Sequence, residues 1–207
     1  MIRAIIFDFG GVLLRTGDPV GRREWEQRLG LPAGRLEQIV HGSAAWLEAQ
    51  RGAISPDAYW IQVADTLNIP PEDLPALQHD YFREDLLDTS LMALAASYRA
   101  RGYWLGLLSN DSVTLEGKLR DTYRIDQAFD AIVISAKVGV LKPDSAAYQA
   151  ILDALKASPQ EAIFIDDNAA NVEGARRVGM HALHYQAGMD VQAALEAIIH
   201  AAIIGSP

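Results

Sequence analysis

Two apolar runs in this chain of 207 residues end in carboxylates. Residues 5–7 precede Asp8, and residues 162–165 precede the adjacent pair Asp166 and Asp167. A carboxylate at such a position can act as a nucleophile or bind a metal ion. Because adjacent acids repel each other unless a cation lies between them, the pair predicts a Mg²⁺ site.

Two further segments carry groups that suit a phosphoryl group. Ser109 and Asn110 follow an apolar run, where the hydroxyl and nearby backbone N–H groups can bind a phosphate oxygen. Lys142 directly precedes Pro143, which can open a helix, so its charge can neutralise phosphate near a helix N-terminus. The alternatives are ordinary turn chemistry for Ser-Asn and an exposed surface lysine.

Gly10 and Gly11 follow Asp8 at once. Glycines allow the backbone to turn sharply and to approach a bound anion closely. A strand followed by a tight turn with a capping aspartate remains the alternative for this segment taken alone.

The order of apolar runs and helical patterns predicts an α/β fold with a Rossmann-like parallel sheet. The predicted strands lie at 5–7, 103–108, 131–135, 162–166 and 181–185, and the predicted helices at 89–101, 112–122, 144–157, 169–178 and from about 190. Ligands of such sheets collect at the carboxyl ends of the strands. The chemical groups above should therefore meet at one edge.

Residues 18 to about 87 read as successive helices without a convincing strand. Asp18-Pro19, Ser43 and Ser55-Pro56 resemble helix starts. We predict a core domain of residues 1–15 and 88–207, interrupted by an all-helical domain of residues 16–87, the helical insertion. Its many aromatic residues are expected to form mainly its own core.

The composition limits the function classes. A formal charge of −9 and a pI near 4.9 argue against a nucleic-acid partner, and the chain contains no cysteine for disulfides or thiol catalysis. Neither a membrane-spanning run nor a secretory signal pattern is evident. We expect a cytoplasmic protein with a small-molecule substrate, and the oligomeric state is open.

With Asp8, Ser109, Lys142 and the pair Asp166-Asp167 in this order, the chain resembles the haloacid dehalogenase (HAD) superfamily of hydrolases over essentially its full length. The helical insertion resembles the C1-type helical cap of that family. Its composition is most similar to the branch of epoxide hydrolase N-terminal phosphatases and glucose-1-phosphatases.

The resemblance implies a Mg²⁺-dependent phosphatase that hydrolyses a small phosphorylated metabolite through an aspartyl-phosphate on Asp8. It also implies that Mg²⁺ is held by Asp8, the backbone carbonyl of Gly10 and the acidic pair. Within the pair, Asp167 would be the direct ligand and Asp166 would hold metal-bound water.

Ser109, Asn110 and Lys142 are, by the same resemblance, the residues that bind the phosphoryl group. One position departs from the pattern: most family phosphatases carry an acid-base aspartate where this chain has Gly10. Its absence favours substrates with good leaving groups, such as a sugar 1-phosphate, and disfavours a phosphate-transferring mutase. His41 and His79 are the first candidates for a relocated acid.

Two alternatives stay open at this point. A metal-free 2-haloacid dehalogenase would use the same aspartate, although the acidic pair would then have no purpose. A binding protein of weak catalytic power would explain the missing acid. Mg²⁺-dependent phosphate release compared with chloride release from a haloacid separates these possibilities.

Overall fold

The computed structural model describes residues 1–204, and residues 205–207 of the predicted core domain lie outside this range. The strands are β1 (Ala4–Phe7), β2 (Leu14–Thr16), β3 (Asp85–Leu87), β4 (Trp104–Ser109), β5 (Ala131–Ile134), β6 (Ala162–Asp166) and β7 (His181–His184). The helices are α1 (Val20–Leu29), α2 (Arg35–His41), α3 (Ala44–Gln50), α4 (Pro56–Leu67), α5 (Leu74–Phe82), α6 (Thr89–Ala100), α7 (Thr114–Gly117), α8 (Ser135–Val138), α9 (Ser145–Leu155), α10 (Ala169–Val178) and α11 (Val191–Ile204).

Five strands form one parallel sheet in the order β5-β4-β1-β6-β7. All four residues of β1 are fully buried, as expected for a central strand covered on both faces. Phe7 pairs with Leu107 of β4 on one side and with Ile165 of β6 on the other. The residues that follow these strands therefore emerge at the same edge, and the predicted fold class is confirmed.

The two faces of the sheet bury alternate side chains of β1 in different cores. Ile5 and Phe7 pack into a core that includes residues of α6 and α11, whereas Ile6 packs with residues of α9 and α10. This alternation follows from the two-residue period of a strand. It holds the end of β1 rigidly between two helical layers.

The helical insertion contains α1 to α5 and has its own apolar core, which includes Trp25, Leu36, Tyr59 and Leu77. Strands β2 and β3 connect it to the sheet as an antiparallel pair. The prediction of no strand between residues 18 and 87 is wrong at β3. Two of its residues are only partly buried and Leu86 is exposed, and its pairing partner lies about 70 residues away in sequence, so no local pattern marks it.

Of the three helix starts predicted in the insertion, two are capped by a serine side chain as expected. Ser43 and Ser55 accept hydrogen bonds from the backbone N–H groups of Trp46 and Ala58. The carboxylate of Asp18 instead pairs with Arg23, so the predicted cap at α1 is wrong.

The predicted helix at 112–122 is shorter and less regular than expected. It consists of α7, which has four residues, followed by a π-helical turn at Lys118–Thr122. Within residues 1–204, none of the helices combines the length and apolar character needed to cross a membrane.

Candidate active site

Asp8 lies directly after β1, where its backbone N–H donates to the carbonyl of Ile165 at 2.8 Å. The residue as a whole is 8% exposed. Its Oδ1 accepts from the backbone N–H of Phe9 and from Lys142 Nζ, each at 2.7 Å. Burial raises the pKa of this carboxyl above its ordinary value, and the charge of Lys142 opposes the rise.

Lys142 is buried and connects two carboxylates. Its Nζ lies 2.7 Å from Asp8 Oδ1 and 2.7 Å from Asp166 Oδ2. The Asn110 side chain binds both backbone groups of Lys142: Nδ2 donates to the carbonyl at 3.0 Å, and Oδ1 accepts from the N–H at 2.9 Å. The surface-lysine alternative is therefore wrong.

The two members of the acidic pair occupy different environments. Asp166 is fully buried. Besides Lys142, it accepts from the backbone N–H of Asn168 at 2.7 Å, and Asn171 Nδ2 lies 3.2 and 3.1 Å from its two oxygens. Asp167 is exposed in the cavity wall. Partial burial, with the charge of Asp166, raises its pKa.

Asp8, Asp166 and Asp167 each place an oxygen within 4.8 Å of the others. Lys142 contacts only Asp8 and Asp166 of these three residues, so one lysine stands against three carboxyl groups and negative charge is in excess. Oxygen ligands in this arrangement fit a hard divalent cation such as Mg²⁺. Gly10, whose carbonyl was predicted to contribute, lines the same cavity.

Gly11 allows Asp167 to come close to the β1 loop. Its φ is +82°, and a Cβ atom at this position would lie 2.2 Å from Asp167 Oδ2. Only glycine satisfies both conditions without a shift of the backbone or of Asp167. The second glycine of the turn is therefore required by the geometry of the carboxylate cluster.

The other predicted residues lie at the same edge of the sheet. Ser109 ends β4, is buried and lines the cavity. Asn110 also lines it, but its side-chain amide is occupied by the backbone of Lys142. The structure gives Asn110 a positioning role for Lys142, and a contact with substrate through this amide stays a prediction.

The cavity above these residues has a volume of about 1180 Å³ and extends between the sheet edge and the helical insertion. Its lining also includes residues that the sequence analysis did not single out, among them Gln50, Asp111 and Lys118. Gln50 Nε2 donates to the carbonyl of Asn110 at 2.9 Å and so joins the insertion to the core. Burial raises the pKa of Asp111 to about 6, and the charge of Lys118 opposes this rise.

Both histidines proposed as relocated acids line the cavity. His41 is exposed toward the cavity, while the rings of Trp46, Tyr81 and Phe82 pack around its imidazole. Desolvation by these neighbours, with the charges of Arg22 and Lys118, lowers its pKa to about 4. His41 is thus neutral at pH 7 and has no ready proton to donate. His79 is exposed, and its Nδ1 lies 3.0 Å from Asp80 Oδ1.

Comparison with known proteins agrees with this geometry. The chain is 32% identical over 197 residues to a phosphatase of Mycobacterium tuberculosis, covering 87% of this chain and 86% of that protein. It is 29% identical over 186 residues to the sesquiterpene phosphatase astK of Aspergillus oryzae, covering 88% of this chain and 89% of that protein. Sequence similarity therefore extends over nearly the whole length of both relatives.

Among solved structures, a HAD family enzyme from Bacteroides thetaiotaomicron, in complex with magnesium and inorganic phosphate, superposes with a TM-score of 0.76. The match covers 94% of this chain and 99% of the other at 19% identity, which indicates a shared fold. The family model described as haloacid dehalogenase-like hydrolase matches residues 2–179. This match, together with the fold, shows that the chain belongs to the haloacid dehalogenase-like hydrolases.

Proposed function

We propose that this hydrolase is a Mg²⁺-dependent phosphatase that acts on a small phosphate monoester, with residues 16–87 as its cap domain. The observation that carries the proposal is the cluster of Asp8, Asp166 and Asp167 around one buried lysine. A strand-end nucleophile beside a cation site suits an anionic phosphoryl group. The names of the two phosphatase relatives support the same reaction class.

In the proposed first step, Asp8 attacks phosphorus. Lys142 and the Phe9 N–H both donate to Oδ1, which leaves Oδ2 for the new bond. As the Oδ2–P bond forms, the P–O bond to the ester oxygen breaks, and this oxygen leaves with the electron pair and takes its proton from water. Water then attacks phosphorus, so that inorganic phosphate departs and the Asp8 carboxylate returns.

In this proposal the acidic residues have different roles. Asp167 faces the cavity and would bind Mg²⁺ directly together with Asp8 and the Gly10 carbonyl. Asp166 accepts hydrogen bonds from Lys142, Asn168 and Asn171 with both of its oxygens, so its role in this proposal is to position the lysine. The cation would neutralise charge on the phosphoryl oxygens. Ser109 and Lys142 would bind the remaining oxygens.

The leaving alcohol receives no proton from residue 10, which is glycine, and His41 is unprotonated at neutral pH. A positioned acid is commonly worth about 10²- to 10⁴-fold in rate. We therefore propose that good leaving groups are preferred, and a sugar 1-phosphate remains one such candidate.

The decisive experiment compares two reactions of the purified protein. Phosphate release from p-nitrophenyl phosphate is measured with Mg²⁺ and with excess EDTA, and chloride release from 2-chloropropionate is measured in parallel. We expect Mg²⁺-dependent phosphate release that the Asp8→Asn variant loses while it keeps its fold. Chloride release without metal would favour the dehalogenase alternative, and inactivity in both assays would favour the binding protein.

A further inference from the structure

Five rings of the helical insertion contact one another in a closed circuit, which we call the aromatic ring wall. The circuit runs from His41 to Trp46, Tyr59, Trp60, Phe82 and back to His41. Successive ring centroids lie 5.0, 5.3, 5.1, 6.2 and 6.2 Å apart. These separations are typical of favourable tilted and edge-to-face contacts.

All five rings line the active-site cavity. The sequence analysis expected such aromatic residues to serve mainly as core. The structure gives them both roles, because Tyr59 is buried in the core of the insertion while Trp46, Trp60 and Phe82 are only partly buried beside it. One side of the wall supports the insertion and the other is available to a ligand.

Two polar atoms of this wall, one on Tyr59 and one on His41, are directed to protein partners. The hydroxyl of Tyr59 donates to the carbonyl of Val40, and His41 Nδ1 lies 3.1 Å from the Tyr81 hydroxyl. A sugar ring needs several hydrogen-bond partners to compensate for leaving water. These side chains instead present ring surfaces, which favour apolar groups.

The charges beside the wall also have partners. Arg22 lies 3.2 Å from Asp85 and 3.5 Å from Glu37, and Lys118 Nζ lies 4.0 Å from the centroid of Phe82. An aromatic enclosure can bind a quaternary ammonium group. Here Lys118 already lies against the ring of Phe82, so this ring is not free to bind a cationic group of the substrate. A neutral group fits better.

We infer that the substrate's leaving group is an apolar aryl or hydrocarbon alcohol that packs against the aromatic ring wall; this inference rests on the proposed function. The cavity volume of about 1180 Å³ exceeds the range of about 300–1000 Å³ that is common for small-molecule pockets. A phosphoryl group fills only a small part of it. The remaining space adjoins the wall, where burial of hydrocarbon is favourable.

A series of straight-chain alkyl phosphates tests the inference, because ethyl, butyl, hexyl and octyl phosphate have nearly the same leaving-group pKa. We expect kcat/KM to rise about three- to four-fold for each added methylene group until the cavity is full. Glucose 6-phosphate, whose leaving group is a primary alcohol like those of the series, and choline phosphate serve as the sugar and cationic comparisons. A flat series, or a clear preference for either comparison compound, would overturn the inference.

Variants test whether the aromatic ring wall causes the dependence of kcat/KM on chain length. Trp60→Ala and Trp46→Ala should each flatten the dependence on chain length. Ile61→Ala and Leu47→Ala are the matched controls, since these neighbours on the same helices are 51% and 47% exposed, and they should keep the wild-type dependence. Circular dichroism and thermal unfolding identify a variant that has lost its fold. If one tryptophan variant unfolds, the other and the milder Trp60→Leu still decide the question.

Binding of alkyl phosphonates to the wild-type protein with Mg²⁺ separates this inference from the proposed function. Hexyl phosphonate should bind more tightly than ethyl phosphonate by a factor similar to that in kcat/KM. A chain-length dependence in binding without turnover of any phosphate would overturn the proposed function and would leave the aromatic ring wall as an apolar binding surface. Turnover without any chain-length dependence in kcat/KM or in binding would overturn the inference and leave the proposed function standing.

Discussion

The side-chain amide of Gln50, at the end of α3 in the helical insertion, donates a hydrogen bond to the backbone carbonyl of Asn110 in the core. The side chain of Asn110 in turn binds the backbone of Lys142, whose Nζ contacts Asp8. Hydrogen bonds therefore run from the insertion to the proposed nucleophile. Gly52 allows the insertion and the core to approach closely at this junction, because a Cβ at residue 52 would lie only 2.3 Å from the carbonyl oxygen of Ala136.

Replacing Gln50 should test whether this junction positions the site. In Gln50→Ala the insertion loses a partly buried hydrogen bond worth about 1 kcal/mol, so we expect kcat/KM to fall about five- to ten-fold. Because the contact between the insertion and the core is weakened, the loss should divide between kcat and KM, and stability should fall by no more than about 1 kcal/mol. Glu48→Ala, an exposed change on the same helix, is the control and should behave as wild type.

Substitutions of the two acidic residues should have different effects, one on metal binding and the other on stability. Asp167→Asn removes an exposed carboxylate, so the Mg²⁺ concentration for half-maximal activity should rise strongly with little loss of stability. Asp166→Asn places a neutral amide against buried Lys142 and should destabilise the protein by up to about 3 kcal/mol. Mg²⁺ titrations and urea unfolding measure the two effects. Equal effects of both variants on Mg²⁺ activation would contradict the assigned roles.

The two glycines after Asp8 should respond differently to substitution. A Cβ at Gly10 would meet no heavy atom within 4 Å, and its φ is not positive, so Gly10→Asp can be accommodated. If the new carboxyl supplies a proton, alkyl phosphates should gain up to about 10²-fold in kcat/KM, and aryl phosphates should gain less. Gly11→Ala should impair Mg²⁺ activation, since its Cβ would collide with Asp167.

The dependence of the wild-type rate on leaving-group pKa tests the premise that no acid acts at residue 10. Without an acid at residue 10, the rate should rise as the leaving-group pKa falls. A rate independent of leaving-group pKa, when single-turnover kinetics show that chemistry is limiting, would mean that another cavity residue donates the proton. His79 would then be mutated before His41, because His41 is neutral at pH 7.

Asp111 should make stability depend on pH. Its pKa is raised to about 6 in the folded protein, so the folded state binds the proton more tightly than the unfolded state. The free energy of unfolding therefore falls as pH rises from about 4 to about 6. Asp111→Asn keeps an acceptor for the N–H of Ser112 without a charge.

We expect this variant to be more stable than wild type by about 1–2 kcal/mol at pH 7.5, and the difference should shrink toward pH 4.5. Urea unfolding at several pH values measures it. Asp65→Asn, at an exposed position of α4, is the control and should show no such trend. A constant difference at all pH values would mean that Asp111 is ionised normally in the folded protein.

Much of the core could be read from the sequence because its signals are local. The strand at 162–166 and the helix at 169–178 match β6 and α10 residue for residue. A buried parallel strand is a continuous apolar run, and a helix carries its own period and terminal glycine. Once the strands are parallel, their carboxyl ends meet, so Asp8, Ser109 and Asp166 had to lie at one edge.

Other features depended on contacts between distant segments. The pairing of β2 with β3, the link from Gln50 to Asn110 and the closed circuit of five rings each join residues that no local pattern connects. The spacing of Trp46 and Trp60 is equally compatible with a core and with a cavity wall. The sequence by itself determined the fold class and the carboxylates at the sheet edge, since periodicity and strand direction are properties of each segment. Only the tertiary structure decided which carboxylate faces the cavity and what surrounds a substrate, because both depend on how the insertion packs over the sheet.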